Sequence, residues 1–79
     1  MNIEVRVFAT LRRYLPELAI GEAKITQVEP GTTFGELRDS LGLPPQEAKI
    51  IMCNNVQVEP GETINDGDRI AFIPPVAGG

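Results

Sequence analysis

The stretch Arg69–Ile73, followed at once by Pro74-Pro75, constrains the fold more than any other. Ile70 and Phe72 share one parity and Ala71 and Ile73 the other, so a strand here is apolar on both faces. Such a strand belongs in the middle of a sheet. The two prolines lack N–H donors and fix φ, so the ladder must stop at them and the chain after them should leave as an extended arm. Any architecture must therefore put its last strand at the centre and add the earlier strands on either side. If only one face of that sheet is covered by the rest of the chain, the other is left as an apolar patch for a partner. The arm reads Val76-Ala77-Gly78-Gly79. Without side chains, Gly78 and Gly79 let a terminal carboxylate enter a slot whose walls a Cβ would strike.

The remaining elements follow from periodicity and turn chemistry. Residues 2–8 alternate Ile3, Val5 and Val7 against Asn2, Glu4 and Arg6, a strand with one face on the core. Phe8 falls on the outward parity: either the strand ends there, or Phe8 lies on the far face of the sheet. Thr10 is expected to cap a short helix over Leu11–Leu15 that Pro16 ends, with Leu11, Leu15 and Leu18 on the core edge and Arg12-Arg13 on a solvated face. Gly21 marks a turn into a second strand over Ala23–Glu29, in which Ile25 and Val28 differ in parity, so a bulge or partial burial of one of them is expected.

Thr33-Phe34-Gly35-Glu36 has the spacing of a capping box and opens the main helix, with Phe34, Leu37 and Leu41 as its apolar stripe and Gly42 as its left-handed stop. Leu43-Pro44-Pro45 is a loop. Lys49–Cys53 and Val56–Val58 read as a hairpin turning through Asn54-Asn55, residues that tolerate positive φ. Pro60-Gly61 and Asn65-Asp66-Gly67-Asp68 are turns; the two aspartates lack the further oxygen ligands of a calcium loop.

Composition excludes more than it suggests. A chain of 79 residues makes one domain. With no histidine and one cysteine it lacks the parts of a nucleophilic triad, a zinc site or an iron–sulfur cluster. Cys53, within Ile50-Ile51-Met52-Cys53, reads as a small buried hydrophobe. Glu36 and Asp39 are accounted for by capping and a solvated face. A net charge of −4 disfavours nucleic acid. No apolar run reaches the length of a membrane span, and Met1 opens into strand residues instead of a leader, so the cytoplasm is the expected compartment.

Strand, strand, helix, strand, short strand, strand, with the helix across one face of a mixed sheet, is an α+β plan: that of the β-grasp. The sequence also resembles the ubiquitin-like sulfur carriers, most closely the small subunit of molybdopterin synthase. The resemblance spans nearly the whole chain. It rests on Phe8-Ala9-Thr10-Leu11-Arg12, Pro30-Gly31-Thr32-Thr33, Asn65-Asp66-Gly67-Asp68, and above all Ala71-Phe72-Ile73-Pro74-Pro75-Val76-Ala77-Gly78-Gly79. Asn54-Asn55 departs from the Asn-Gly that such carriers often have at the hairpin.

The resemblance implies a β-grasp domain over residues 1–74 and a flexible Gly-Gly arm over 75–79. It further implies that an E1-like adenylyltransferase activates the carboxylate of Gly79 with ATP, and that a persulfide-derived sulfur displaces AMP to leave a thiocarboxylate. That sulfur would then pass to a cyclic pterin precursor on the large synthase subunit, in an expected heterotetramer. On this reading the chain binds no cofactor or metal and is a sulfur donor whose catalytic residues lie on its partners. Gly78 and Gly79 are then the reacting end, and Phe8, Ala71, Ile73, Pro74, Pro75, Val76 and Ala77 the partner-binding residues. No processing protease is expected, since the chain already ends at Gly79. The alternatives are the carrier of thiamine synthesis, which typically lacks the segment matching Ala9–Ile20, a protein modifier joined through Gly79 to a lysine, and a β-grasp binding module whose Gly-Gly is incidental.

Overall fold

The computed structural model describes residues 1–75. The expectations for Val76, Ala77, Gly78 and Gly79, and for the arm they form, lie outside the described residues. Five strands and one α-helix follow in the order β1 (Asn2–Val7), β2 (Lys24–Gln27), α1 (Phe34–Ser40), β3 (Ile50–Cys53), β4 (Val56–Val58) and β5 (Arg69–Ile73). Their order in the sheet is β2-β1-β5-β3-β4, so the last strand is central, as its two apolar faces require. It runs parallel to β1, pairing Val5 with Ile70 and Val7 with Phe72, and antiparallel to β3, pairing Ile51 with Phe72. The two hairpins, β1–β2 and β3–β4, are antiparallel.

One face of the sheet carries the core. Ile3, Val5 and Val7 of β1, Ile51 of β3, and Ile70 and Phe72 of β5 are buried against Phe34 and Leu37 of α1. Leu11, Leu15, Leu43 and Ile64 close the ends of this core, and Leu18 and Leu41 are partly buried beside it. The capping box is complete: Glu36 N donates to Thr33 Oγ1 at 3.1 Å and Thr33 N donates to Glu36 Oε1 at 2.9 Å. Gly42, at φ +75°, ends the helix.

The structure departs from the sequence reading between residues 8 and 29. β1 ends at Val7, yet Phe8 N still donates to Phe72 O at 3.2 Å, holding Phe8 on the ladder. The chain then turns over at Ala9, φ 54°, into a 3-10 helix Ala9–Tyr14. Thr10 therefore lies inside this helix, whose N-cap is Phe8 with no side-chain cap bond, and Thr10 is not a cap. Arg12-Arg13 is not simply a solvated pair either. Arg13 forms an ion pair with Glu47 at 2.6 Å, and Arg12 Nε is buried without a hydrogen-bond partner. β2 is shorter than expected because only Lys24–Gln27 pair with β1. Thr26 lies opposite Ile3, so Val28, two residues on, keeps the core side, while Ile25 points outward and is 67% exposed. No bulge is needed.

Candidate functional site

The face of the sheet away from α1 is built by the strand residues of opposite parity. Register sets them in rows. Glu4 of β1 lies beside Arg69 of β5; Arg6 beside Ala71, and Ala71 beside Met52 of β3; Ile73 beside Ile50. Phe8, next along β1 and 40% exposed, extends this surface at the end where β5 runs into Pro74. Ala71, Ile73, Ile50, Met52 and Pro74 are half-buried and Pro75 is exposed, so an apolar strip lies at the base of the arm. Five of the expected partner-binding residues, Phe8, Ala71, Ile73, Pro74 and Pro75, thus sit at one end of one sheet. Met52, Ile50, Arg6 and Arg69 belong to the same surface and were missed. Only the pairing of β5 with both neighbours reveals them, and strand order is not written in local periodicity.

A depression of about 160 Å³ opens on this face, with Phe8, Met52, Ala71, Arg6 and Arg69 in its lining. Arg6 is held in place: its Nε donates to Gly21 O at 3.1 Å, and its guanidinium lies 3.5 Å from Glu4 Oε1. The hairpin beside it turns through Asn54 and Asn55, whose φ of 51° and 70° are the left-handed values a tight primed turn demands. Below the turn, Asp68 is almost fully buried. It accepts from Asn65 N at 2.8 Å and from Asn54 Nδ2 at 3.1 Å. Asp66 accepts from Asn2 N at 2.8 Å. Both aspartates are thus committed to turn geometry, and no group of three metal-ligating side chains occurs among the described residues. Cys53 is buried, and burial pushes its thiol up to about 11, helped by hydrogen bonding to Asp68. A thiol of that kind is no nucleophile at neutral pH. Among the described residues no helix is long and apolar enough to cross a membrane.

A mixed sheet with a central C-terminal strand, wrapped on one face around a single helix, is the ubiquitin-like β-grasp. SAMP1 from Haloferax volcanii has this fold, with 25% identity, a TM-score of 0.72 and all of both chains covered. A chain of the protein–protein complex of subunits 1 and 2 of molybdopterin-converting factor from Helicobacter pylori 26695 matches at 25% identity and TM-score 0.63, again over all of both chains. The ubiquitin of Caldiarchaeum subterraneum, at 22% identity and TM-score 0.65 over 100% of this chain and 98% of that one, shares the fold. No curated protein sequence matches. The ThiS family model matches residues 5–79, and the chain belongs to this family of ubiquitin-like sulfur carriers.

Proposed function

We propose that the chain is the sulfur-carrying subunit of a molybdopterin synthase. The observation that carries this reading is the family match running through Gly79, joined to an apolar strip on the bare sheet face where β5 enters Pro74. A carboxylate is a poor electrophile because its charge repels nucleophiles and oxide is a poor leaving group. On this reading an E1-like adenylyltransferase converts the Gly79 carboxylate and ATP to an acyl adenylate and pyrophosphate. The outer sulfur of a donor persulfide then displaces AMP to form an acyl disulfide, and a thiol of the donor cleaves its S–S bond, leaving the Gly79 thiocarboxylate and a donor disulfide. Within the synthase, the Gly79 thiocarboxylate attacks a cyclic pterin precursor on the large subunit, and the C–S bond of the product forms as the acyl–sulfur bond is broken by water. The chain supplies the sulfur and a docking face, and binds neither cofactor nor metal itself. Its partners supply the acids and bases. Phe8, Ala71, Ile73, Pro74 and Pro75 would seat the domain, Val76, Ala77 and Gly78 would thread the slot, and the cytoplasm would be the site of action.

Likeness to the chain from the molybdopterin-converting factor complex supports a large-subunit partner, and the expected assembly is a heterotetramer. The equal identity to SAMP1 favours a second reading, a modifier joined through Gly79 to a lysine. One experiment separates them. The thiocarboxylated chain is mixed with the large subunit and pterin precursor, and separately with a cell extract, ATP and the activating enzyme. Dithiolene product from the first supports the synthase reading. No product from the first, with ladders on a denaturing gel from the second, would replace it with the modifier.

A further inference from the structure

A strained turn carries the chain off the sheet just after Phe8. Phe8 N donates to Phe72 O, and the chain then reverses at Ala9, whose φ of 54° puts a residue with a Cβ in the left-handed region. The 3-10 helix Ala9–Tyr14 that follows runs for six residues, longer than such helices usually persist by themselves, and no side chain caps its start. Local chemistry does not hold it. On one side Leu11 and Leu15 are buried in the core, and Leu11 N donates to Phe8 O at 3.1 Å.

On the other side is a carboxylate that the function proposed above does not use. Glu47 Oε1 accepts from Arg13 Nη2 at 2.6 Å, and Glu47 Oε2 accepts from the Tyr14 hydroxyl. Arg13 Nη2 also donates to Tyr14 Oη at 3.0 Å, and its guanidinium lies 5.0 Å from the centre of the Tyr14 ring. A lone surface pair contributes little, but here both carboxylate oxygens are taken and the loop that bears them is fixed. Glu47 N and Ala48 N donate to Pro44 O at 3.0 and 2.8 Å, and Leu43 and Ala48 are buried. Glu47 itself is on no strand and does not line the depression beside Phe8.

We propose that Glu47 is a positioning residue for docking: through Tyr14 and Arg13 it holds the 3-10 helix, and through that helix it fixes where Phe8 stands on the face offered to the large subunit. The inference rests on the synthase reading above and adds to it a residue outside the docking face. The strain at Ala9 supplies the coupling. With the clasp open, the helix keeps only its core side, Ala9 relaxes out of the left-handed region, and Phe8, its neighbour and N-cap, shifts with it. A ring that must be ordered on binding contributes less than one already held in place.

The test uses the full chain and the large subunit. Amide hydrogen exchange of the chain alone, and its affinity for the large subunit, are measured well below the melting temperature of each variant. Glu47→Ala is expected to speed exchange at Phe8 and Leu11 at least about tenfold and to leave Asn54, whose N–H donates to Arg69 O at the other end of β5, within about twofold. It is expected to weaken binding about fivefold when Phe8 is present and by less than about twofold in the Phe8→Ala background, because a residue acting through Phe8 has nothing to position once the ring is gone. Tyr14→Phe removes only the hydroxyl donated to Glu47 and is expected to weaken binding about two- to threefold, again only with Phe8 present, so the test stands even if Glu47→Ala does not fold. Unchanged exchange at Phe8 and Leu11 would overturn the proposal. So would an equal acceleration at Asn54, which would reduce the effect to general stability, and so would equal losses of binding with and without the Phe8 ring. If the wild type binds and the two losses are equal, only this inference fails; if the wild type does not bind the large subunit, the synthase reading fails and takes the inference with it.

Discussion

Replacing Asp68 by alanine should unfasten the start of the central strand. The carboxylate is 7% exposed and accepts two hydrogen bonds, from Asn65 N and from Asn54 Nδ2. Asn54 in turn accepts from Arg69 N, so the three residues clasp the β3–β4 hairpin to β5. Removing the acceptor leaves two donors, Asn65 N and Asn54 Nδ2, without their partner in bonds that are part-buried, although both asparagines are otherwise exposed. Hydrogen bonds to a charged group contribute about 1.5–3 kcal/mol each, partly offset here because the carboxylate no longer has to be desolvated, so a loss of about 3 kcal/mol is expected. Unfolding entropy of about 2.1 cal/mol/K per residue gives about 0.17 kcal/mol/K for a 79-residue chain, and hence a fall in Tm of roughly 15–20 °C. Asp68→Asn keeps one acceptor oxygen and should lose about half as much. Calorimetry or circular dichroism melts of the three proteins read this directly. A fall below about 5 °C for Asp68→Ala would refute the clasp as a source of stability.

Two further outcomes follow from the same contacts. Cys53, its thiol raised by burial and by Asp68, should react with a thiol reagent at pH 8 far more slowly in the folded chain than in denaturant. Because its folded pKa of about 11 exceeds the ordinary 9.0, its contribution to stability is complete below pH 9 and is lost as pH rises toward 11, so urea midpoints should decline over that interval and Cys53→Ala should flatten the decline. On the docking face, Ile73→Asp places a carboxylate in the strip with Ile50 and Phe8 but outside the core, and should leave Tm within about 5 °C while weakening binding to the large subunit by at least about tenfold. Wild-type binding by Ile73→Asp would mean that the strip is not the docking surface.

What could be read from the sequence was what short-range chemistry decides. The two apolar parities of Arg69–Ile73 placed that strand at the centre, and the Thr33/Glu36 pair located the helix start because both hydrogen bonds lie within one turn. Asn54-Asn55 gave the hairpin, since few residues other than glycine accept positive φ. What escaped reading depended on contacts distant in sequence. Thr10 looks like a cap, but the bond from Phe8 N to Phe72 O moves the start of the helix forward. Arg13 looks solvated until the loop bearing Glu47 comes beside it, where the carboxylate also accepts from Tyr14. Leu43 and Ala48 are buried although they flank a Pro-Pro loop with no periodic pattern. For the candidate site, Ala71, Ile73, Pro74 and Pro75 lie together in the run that enters Pro74-Pro75, whereas Phe8 reaches the same end of the sheet only through the bond from its N to Phe72 O. Met52, Ile50, Arg6 and Arg69 became part of it only through strand register.

The central claim is that the chain works through the carboxylate of Gly79, and intact mass tests it most directly. The purified chain is weighed before and after incubation with ATP, an E1-like adenylyltransferase and a persulfide donor. The account predicts a gain equal to one oxygen replaced by sulfur, lost when Gly79 is deleted. An unchanged mass, with an adenylyltransferase shown to be active on its own substrate, would contradict it and leave a ubiquitin-like domain that binds without carrying sulfur.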